Sequence, residues 1–344
     1  MTKPIHRWYV FPHSFTAELV HGLIEEWGLG SQDYLLDPFV GAGTTVLAAR
    51  EKGVPAAGYD LLPLAVLVAS VKASNLDSRR LSDLARQLLK SALSEGISSY
   101  YDPPEMLPEG AAIPVQRLVP EPDPNSAPDL VRKALPGRLL ETFACLLHTV
   151  DDLPASPEEK DFFRLAVLRL VPRYSRAVAT GGWLKWVQKA DGEETLRHAL
   201  NEQINLMILD LDRSCLPSGP HWRIEQADAR RLPVANGTFT AVITSPPYPN
   251  RHDYTRVFGV ELMLAFLDWH GTRQLRYQSF HSHPEARPSR PIAECYRQPI
   301  ALTEAVSRIR AGPIDRRIPA MLEGYFLDMY LALSEIRRVC RSGA

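Results

Sequence analysis

Two short segments of the chain combine residue types that suit the binding of a ligand. Ser245-Pro246-Pro247-Tyr248 directly follows the apolar run Thr240-Ala241-Val242-Ile243-Thr244. This order predicts a strand that ends in a proline-stiffened loop and presents backbone carbonyls to a ligand. Much earlier, residues 37–45 have the sequence DPFVGAGTT. This segment predicts a strand that turns through glycines into a helix, the geometry that brings the backbone close to a nucleotide-like cofactor.

The residues around the glycines supply the elements that would position them. The apolar run 34–36 ends at an acid, residues 44–52 have helical character, and the small-residue strand 55–59 ends at Asp60. This strand-turn-helix-strand unit places a carboxylate about 20 residues beyond the glycines, where a Rossmann-like site binds ribose hydroxyls. The alternative role for Asp60 is to cap a helix that begins at Pro63.

A phosphate-binding P-loop is the competing interpretation of the glycine segment. It fails because no Gly-Lys-Ser/Thr follows the glycines and no lysine is placed to reach a phosphate. The carboxylate of Asp37 instead suits a cofactor that is cationic and free of phosphate. Phe39 can lie against an adenine ring or line its pocket, and core packing is its alternative role.

The two segments resemble motif I and motif IV of the S-adenosylmethionine-dependent methyltransferases that modify exocyclic amino groups of DNA bases. The resemblance covers residues before about 75 and from about 221 onward. It implies an α/β fold with a Rossmann-like class I methyltransferase sheet, in which the cofactor half precedes the motif IV half. Residues 1–75 and 221–344 would form the catalytic domain, and 76–220 a mainly helical insertion that is a candidate target-recognition region.

The resemblance also implies a set of cofactor-binding residues. From motif I these are Asp37, Pro38, Phe39, Gly41, Gly43 and Thr44. Asp60 takes the ribose-binding role, and Asp228 with Ala229 takes the motif III position, where the acid accepts a hydrogen bond from the adenine amino group. The implied cofactor is S-adenosylmethionine, whose amino end or sulfonium region the first acid would neutralise. Residues 8–16, which precede an amphipathic helix, are similar to motif X.

Motif IV implies a direct methyl transfer to cytosine N4 or adenine N6. The lone pair of such an amine is delocalised into the ring, so the amine is a poor nucleophile until its geometry changes. By resemblance, the Ser245 side chain and the Pro246 carbonyl accept its N–H groups, with Pro247 in the same rigid loop. Tyr248 stacks on the base after it leaves the DNA helix. Carbon-5 cytosine methyltransferases need a cysteine nucleophile, and none of the four cysteines lies in a Pro-Cys segment.

The first residue of motif IV bears on the target base. Serine favours cytosine N4, whereas Asp or Asn is more typical of adenine N6 and of some guanine-N2 RNA enzymes. The implied function is site-specific DNA methylation of the restriction-modification kind. An adenine-N6 DNA methyltransferase, an RNA amino-methyltransferase, and a silent or split subunit that binds nucleic acid stay open as alternatives.

The middle of the chain has the composition of a helical insertion. A chain of 344 residues exceeds the usual single-domain size, so one domain with an insertion, or two domains, is expected. Helical periodicity is present in residues 81–93, 130–150, 158–171 and 193–211. Ser156-Pro157-Glu158-Glu159 has the pattern of a capping box. A proline-rich connector at 103–128 excludes helix and central strand there.

A formal net charge of -1 gives no global support for nucleic-acid binding, so DNA contact requires a local basic surface. One candidate is the arginine-rich stretch 273–317, and its alternative is a solvated flexible loop. A second is 173–186, which mixes cations, aromatics and glycine, with aromatic packing between helices as the alternative. Asp253 and Arg256 would shape the base pocket or form a mutual ion pair.

Features outside the motifs indicate a cytoplasmic protein. No stretch of about 18 apolar residues predicts a transmembrane helix, and the N-terminus lacks an apolar signal core. The scattered cysteines suit reduced, mostly buried thiols, and no metal site is expected. The last helix, expected at 325–339, ends where methyltransferase sheets normally continue. We therefore expect C-terminal strands of the sheet to be missing and a partner chain to complete the sheet.

Overall fold

The structure, a computed structural model, describes residues 3–344 apart from 13, 95–127, 182, 190–191, 220, 292 and 314. Its helices are α1 (Ala17–Glu26), α2 (Thr44–Glu51), α3 (Pro63–Ala73), α4 (Ser78–Ser94), α5 (Asp129–Ala134), α6 (Arg138–Asp151), α7 (Pro157–Tyr174), α8 (Glu193–Arg213), α9 (Tyr254–Val257), α10 (Gly259–Ala265), α11 (Trp269–Gln278), α12 (Ile300–Ala311) and α13 (Arg317–Val339). Its strands are β1 (Leu35–Asp37), β2 (Ala56–Asp60), β3 (Ala177–Thr180), β4 (Trp183–Trp186), β5 (Trp222–Gln226) and β6 (Ala241–Val242).

Four parallel strands form the central sheet in the order β5-β2-β1-β6. Leu35 pairs with Ala56 on one side and with Ala241 on the other, so β1 lies between β2 and β6. The chain leaves β1 toward β2 and later returns as β6 on the opposite side. In open α/β sheets, ligands bind at the carboxyl edge where the strand order switches in this way. The predicted strand-turn-helix-strand unit is confirmed.

Helices cover both faces of the sheet. Adjacent residues of β1 point to opposite sides, so each face presents apolar side chains that a helix can bury. Leu35 packs with Val20 of α1 and Val46 of α2 on one face. Leu36 packs with Val339 of α13 on the other face. Every residue of β1 is buried, as expected of a central parallel strand.

The helical insertion shares its hydrophobic core with the part of the chain that forms the central sheet. Phe162 of α7 belongs to the same buried cluster as Leu64 and Val68 of α3. Trp8 adds an edge-to-face contact with Phe162, with ring centroids 5.7 Å apart. The insertion therefore packs directly against the layer that carries motif I, and the boundaries at 75 and 221 stay a prediction.

One helix prediction is confirmed at its start, and another is wrong because the helix is interrupted. The Ser156 hydroxyl accepts a hydrogen bond from Glu159 N–H at 3.2 Å, and Glu159 Oε2 accepts one from Ser156 N–H at 2.7 Å, so the predicted capping box is confirmed. The single helix predicted at 130–150 is wrong, because Pro136 and Gly137, with φ of 58°, separate α5 from α6. The proline-rich connector, except for its last residue, lies outside the described residues.

The exposure of the four cysteines differs from the prediction. Cys145, Cys215 and Cys295 are exposed and Cys340 is half-buried, so the expectation of mostly buried thiols is wrong. All four are free thiols. Within the described ranges, no helix has both the length and the apolar character needed to cross a membrane.

After α13 the chain pairs with the residues that lead into β6. Cys340 forms a parallel bridge with Phe239, and Arg341 N–H donates to the Phe239 carbonyl at 2.9 Å. Thr240 N–H donates to the Tyr34 carbonyl at 3.0 Å. Because neighbouring residues of a strand direct these bonds to opposite sides, Cys340 lies on the side of β6 away from β1.

A buried carboxylate joins the start of the chain to the insertion. Asp210 of α8 has no exposed surface, and its Oδ2 accepts hydrogen bonds from Ile5 N–H (3.1 Å), Trp8 Nε1–H (3.1 Å) and Arg7 Nε–H (3.0 Å). Arg7 Nη2 also donates to Oδ1 at 2.5 Å. These bonds fix the position of residues 5–8 relative to α8.

Asp210→Ala should lower the free energy of unfolding by about 3–5 kcal/mol, because several buried donors lose this charged acceptor. Asp212→Ala, at an exposed acid near the end of the same helix, is the matched control and should change stability by less than about 0.5 kcal/mol. Denaturant titration followed by circular dichroism measures both. Equal effects would contradict this role for Asp210.

Candidate active site

The motif I turn and the motif IV loop line one cavity at the carboxyl edge of the sheet. The sequence-predicted residues in its wall are Asp37, Pro38, Phe39, Gly41, Thr44, Asp60, Ala229, Ser245, Pro246, Pro247 and Tyr248. Two of the predicted residues, Gly43 and Asp228, lie outside this wall. The segment resembling motif X contributes Phe11, Ser14 and Phe15, whereas residue 13 lies outside the described residues.

The carboxylate of Asp37 connects the two motifs. Asp37 is the last residue of β1 and is 2% exposed. Its Oδ1 accepts hydrogen bonds from the Thr244 hydroxyl at 2.7 Å and from Phe39 N–H at 3.1 Å. Burial raises the pKa of Asp37 to about 6, and these hydrogen bonds oppose the shift. The end of β1 therefore fixes the residue directly before Ser245.

The glycines of motif I have different tasks. Gly41 and Gly43 have φ of 48° and 78°, the left-handed region that favours glycine. A Cβ on Gly43 would lie 2.9 Å from the Cα of Ala69 in α3. Gly43 therefore lets the turn pack closely on α3, which is why it lies outside the cavity wall.

Asp60 binds the motif I turn from the end of β2. Its Oδ2 accepts a hydrogen bond from Gly41 N–H at 3.0 Å, and its Oδ1 accepts one from Leu62 N–H at 2.9 Å. Burial raises the pKa of Asp60, against these bonds. The helix-cap alternative is wrong, because Leu62 is the N-cap of α3 and no side chain caps it. A carboxylate offers about four acceptor positions, so Asp60 retains capacity for a hydroxyl ligand.

Asp228, whose adenine-binding role is a prediction, forms an ion pair with a nearby arginine. Both of its carboxylate oxygens accept hydrogen bonds from Arg230, with Nη2 to Oδ2 at 2.7 Å and Nε to Oδ1 at 2.9 Å. The cavity wall at this point consists of Ala227 and Ala229. These charge-assisted hydrogen bonds fix the carboxylate, and its role in binding adenine stays a prediction.

Phe39 contacts an aromatic ring that the sequence analysis missed. Its ring lies 5.1 Å from the ring of Phe280 at an interplanar angle of 80°. The guanidinium of Arg230 lies 4.9 Å from the centroid of Phe280, and Asp328 Oδ1 accepts a hydrogen bond from Arg230 Nη1 at 2.9 Å. The loop that carries Phe280 is thus held on the motif I side of the cavity.

The same loop, 279–283, forms a polar wall of the cavity through Ser279, Ser282 and His283. Glu285 N–H donates to His283 Nδ1 at 3.3 Å, so Nε2 carries the hydrogen and donates to the Ser279 hydroxyl at 2.9 Å. Burial lowers the pKa of His283. In the sequence this wall appears only as the cluster SFHSH after a helix. The spacing of these residues matches no motif that would have identified them as part of a site.

Lys72 of α3 is a second residue that the sequence analysis missed. It is 3% exposed, and its Nζ donates to the carbonyls of His6 (3.1 Å), Tyr9 (2.8 Å) and Ala42 (2.9 Å). Burial lowers the pKa of Lys72 to about 7. One ammonium group therefore joins the segment before α1 to the motif I turn.

The predicted ion pair of Asp253 and Arg256 is confirmed, with Arg256 Nε 3.2 Å from Asp253 Oδ2. Arg276 Nε lies 2.9 Å from the same oxygen, and Arg290 Nε lies 2.8 Å from the Oδ1 of Asp328. Arg276 and Arg290, both in the stretch 273–317, are therefore used in internal ion pairs. Three short helices, α9, α10 and α11, follow one another in this region.

The segment 173–186 divides between the two interpretations. Tyr174 is fully buried, packs edge-to-face on Phe143 and shares a hydrogen bond with Thr195, as the packing alternative expects. Residues 177–180 and 183–186 instead pair as the antiparallel strands β3 and β4, on which Trp186 is exposed. The described residues contain no group of His, Cys, Asp and Glu side chains arranged to hold a metal ion.

Comparison with known proteins finds Type II methyltransferases. Over 99% of its length the chain is 25% identical to M.BsoBI of Geobacillus stearothermophilus, and it covers 73% of that protein. It is 24% identical to M.AvaI of Nostoc sp. over 100% of its length, again covering 73% of the relative. A shorter match, 30% identical over 89 residues, is to M.MjaII of Methanocaldococcus jannaschii. No family model and no solved structure matches the chain.

Thr244→Val should lower the free energy of unfolding by about 1–3 kcal/mol near neutral pH, because the ionised Asp37 loses a donor. A raised pKa means that this group lowers stability as pH rises from about 4 to about 6, and the Thr244 bond limits that loss. The variant should thus be least affected below about pH 5. Thr238→Val removes a hydroxyl that donates to the neutral Ala235 carbonyl at 2.8 Å and is the control. If Thr244→Val lowered the free energy of unfolding equally near neutral pH and below about pH 5, the role of Thr244 would be contradicted.

Proposed function

We propose that the chain transfers a methyl group from S-adenosylmethionine to an exocyclic amino group of a DNA base, with cytosine N4 as the acceptor. The observation that carries this proposal is the single cavity shared by the motif I turn and the motif IV loop at the switch in strand order. The similarity to Type II methyltransferases along the whole chain supports it.

The chemistry of the cavity wall suits S-adenosylmethionine. Among the described lining residues there is an acid at Asp37 and another at Asp60, and there is neither lysine nor arginine. A phosphate-bearing cofactor would lack a cationic partner here, whereas a cationic ligand gains a carboxylate. Phe11 and Phe39 offer apolar faces for an adenine or a methylene chain. When bound, S-adenosylmethionine supplies an electrophilic methyl group on a sulfonium sulfur.

The motif IV loop would prepare the amine. Neither Pro246 nor Pro247 has an N–H, and their rings fix φ, so the Pro246 carbonyl keeps its direction. That carbonyl and the Ser245 hydroxyl would accept the N–H groups of the amine and favour a pyramidal nitrogen. Tyr248, which is 47% exposed, would stack on the extruded base at the mouth of the cavity. Methylation releases one amine proton, and the open mouth gives it access to water.

The choice of cytosine rests on Ser245. Incubation with labelled S-adenosylmethionine and separate DNA and RNA pools, followed by nucleoside analysis, tests substrate and base together. N4-methylcytosine in DNA is expected. N6-methyladenine would move the proposal to the other base, label in RNA alone would reject DNA as the substrate, and binding of the donor without transfer would indicate a silent subunit.

Ser245→Ala should reduce the rate constant of methyl transfer by about 100-fold or more while the dissociation constant of the donor stays the same. The loss follows from removing an acceptor that acts on the amine and does not contact the donor. Ser289→Ala, at an exposed serine outside the cavity wall, is the matched control. Single-turnover transfer and equilibrium donor binding separate the two effects. Unchanged transfer by Ser245→Ala would contradict its role.

Asp37→Asn should weaken binding of the cationic donor by about tenfold or more, since a buried carboxylate near a cation is replaced by a neutral amide. Because the pKa of Asp37 is raised to about 6, wild-type donor affinity should rise as pH increases from about 5 to about 7. The variant should lack this rise. Asp33→Asn, just before the start of β1, is the control. Calorimetric titration across pH measures both, and a pH-dependent rise that persists in Asp37→Asn would contradict this assignment.

A further inference from the structure

We propose that the phosphate backbone of the target nucleic acid docks on a basic surface formed by the end of α5 and the β3-β4 hairpin. This surface, the α5-hairpin face, consists of Arg132, Lys133, Arg176, Trp186 and Gln188. The inference rests on the proposed function and adds to it the place where the strand that carries the target base is held.

The charge of the face suits a polyanion. Lys133 and Arg176 are exposed, and no carboxylate is among the described residues that line its groove. Asp129 pairs with Arg132 at 2.5 Å beside the groove, which leaves the other two cations as the main source of positive charge. Since the whole chain has a formal net charge of -1, such a local cluster is what nucleic-acid binding requires.

The face is held in place by backbone hydrogen bonds. Arg176 N–H donates to the Ala134 carbonyl at 2.8 Å, which fixes the hairpin to the end of α5. Val187 N–H donates to the Arg176 carbonyl at 2.8 Å, which fixes the strand after Trp186 to the same point. The cations of two separate elements therefore keep a defined spacing.

The hairpin that carries part of the face lies beside α9, a helix of the cavity wall. Both strands of the hairpin have Cα atoms within 8 Å of α9. Tyr254 and Thr255 of α9 line the cavity wall. A nucleotide whose base occupies the cavity must have its sugar and phosphate at the mouth, so the neighbouring phosphates would pass close to the hairpin.

Trp186 supports a nucleic-acid partner. Its side chain is 50% exposed, whereas Tyr174 at the end of α7 is fully buried. An exposed indole beside cations can stack on an unpaired base while the cations bind phosphates. The arginine-rich stretch 273–317 is the weaker candidate for this contact, because Arg276 and Arg290 are used in internal ion pairs.

The salt dependence of DNA binding tests this assignment. Each phosphate contact contributes about 0.9 to the slope of log affinity against log salt, so Lys133→Ala combined with Arg176→Ala should reduce the slope by up to about 1.8. Lys52→Ala combined with Arg213→Ala removes one exposed lysine and one exposed arginine that lie outside the face, and it should leave the slope unchanged. A short random-sequence DNA duplex between about 50 and 200 mM salt is the probe, read by fluorescence anisotropy.

Trp186→Ala should weaken binding to a single strand by about tenfold through lost stacking. Thermal unfolding and donor binding verify that each variant is folded. A double variant whose slope and affinity match those of the control pair would overturn the α5-hairpin face, as would wild-type protein that binds no DNA. Reduced slope without methyl transfer by the wild type would support the face and reject the proposed function, so the two failures are distinguishable.

Discussion

The hydrogen bond from Thr244 to the buried carboxylate of Asp37 is the constraint on which the site depends. It spans 2.7 Å between the ends of two adjacent parallel strands that are 207 residues apart in sequence. Because the sheet brings β1 and β6 side by side, one acid can both shape the motif I turn and fix the start of the motif IV loop. Burial disfavours the charged form of this carboxylate and raises its pKa to about 6. A nearby cation stabilises the charged form, so the same group suits binding of a cationic donor.

Other buried ionic groups hold the rest of the cavity around this bond. Lys72 joins the N-terminal segment to the motif I turn, and Asp210 fastens that segment to the insertion. Asp328 accepts hydrogen bonds from Arg230 and Arg290, which hold the loop containing Phe280. Each charge is paired or bound by several dipoles, as burial requires. Residues of the N-terminal segment, the insertion and the sheet-forming part of the chain therefore hold the cavity in place.

Features that depend on a local sequence pattern could be predicted. The glycines, the prolines of motif IV and the capping box at Ser156 specify local backbone geometry, so the strands, turns and one helix start were predictable. The partners of side chains were not. Asp228 pairs with an arginine two residues away, Gly43 is required by packing on α3, and the wall at 279–283 has no periodic pattern. Such contacts depend on how distant segments meet, which spacing along the chain does not encode.

A crystal structure with a non-reactive donor analogue, in which an amine replaces the methylated sulfur, tests the central claim most directly. The account predicts that the analogue lies in the cavity between the motif I turn and the motif IV loop, with its amine directed toward Ser245 and Pro246. An analogue bound elsewhere, or bound with that amine directed away from the motif IV loop, would contradict the account.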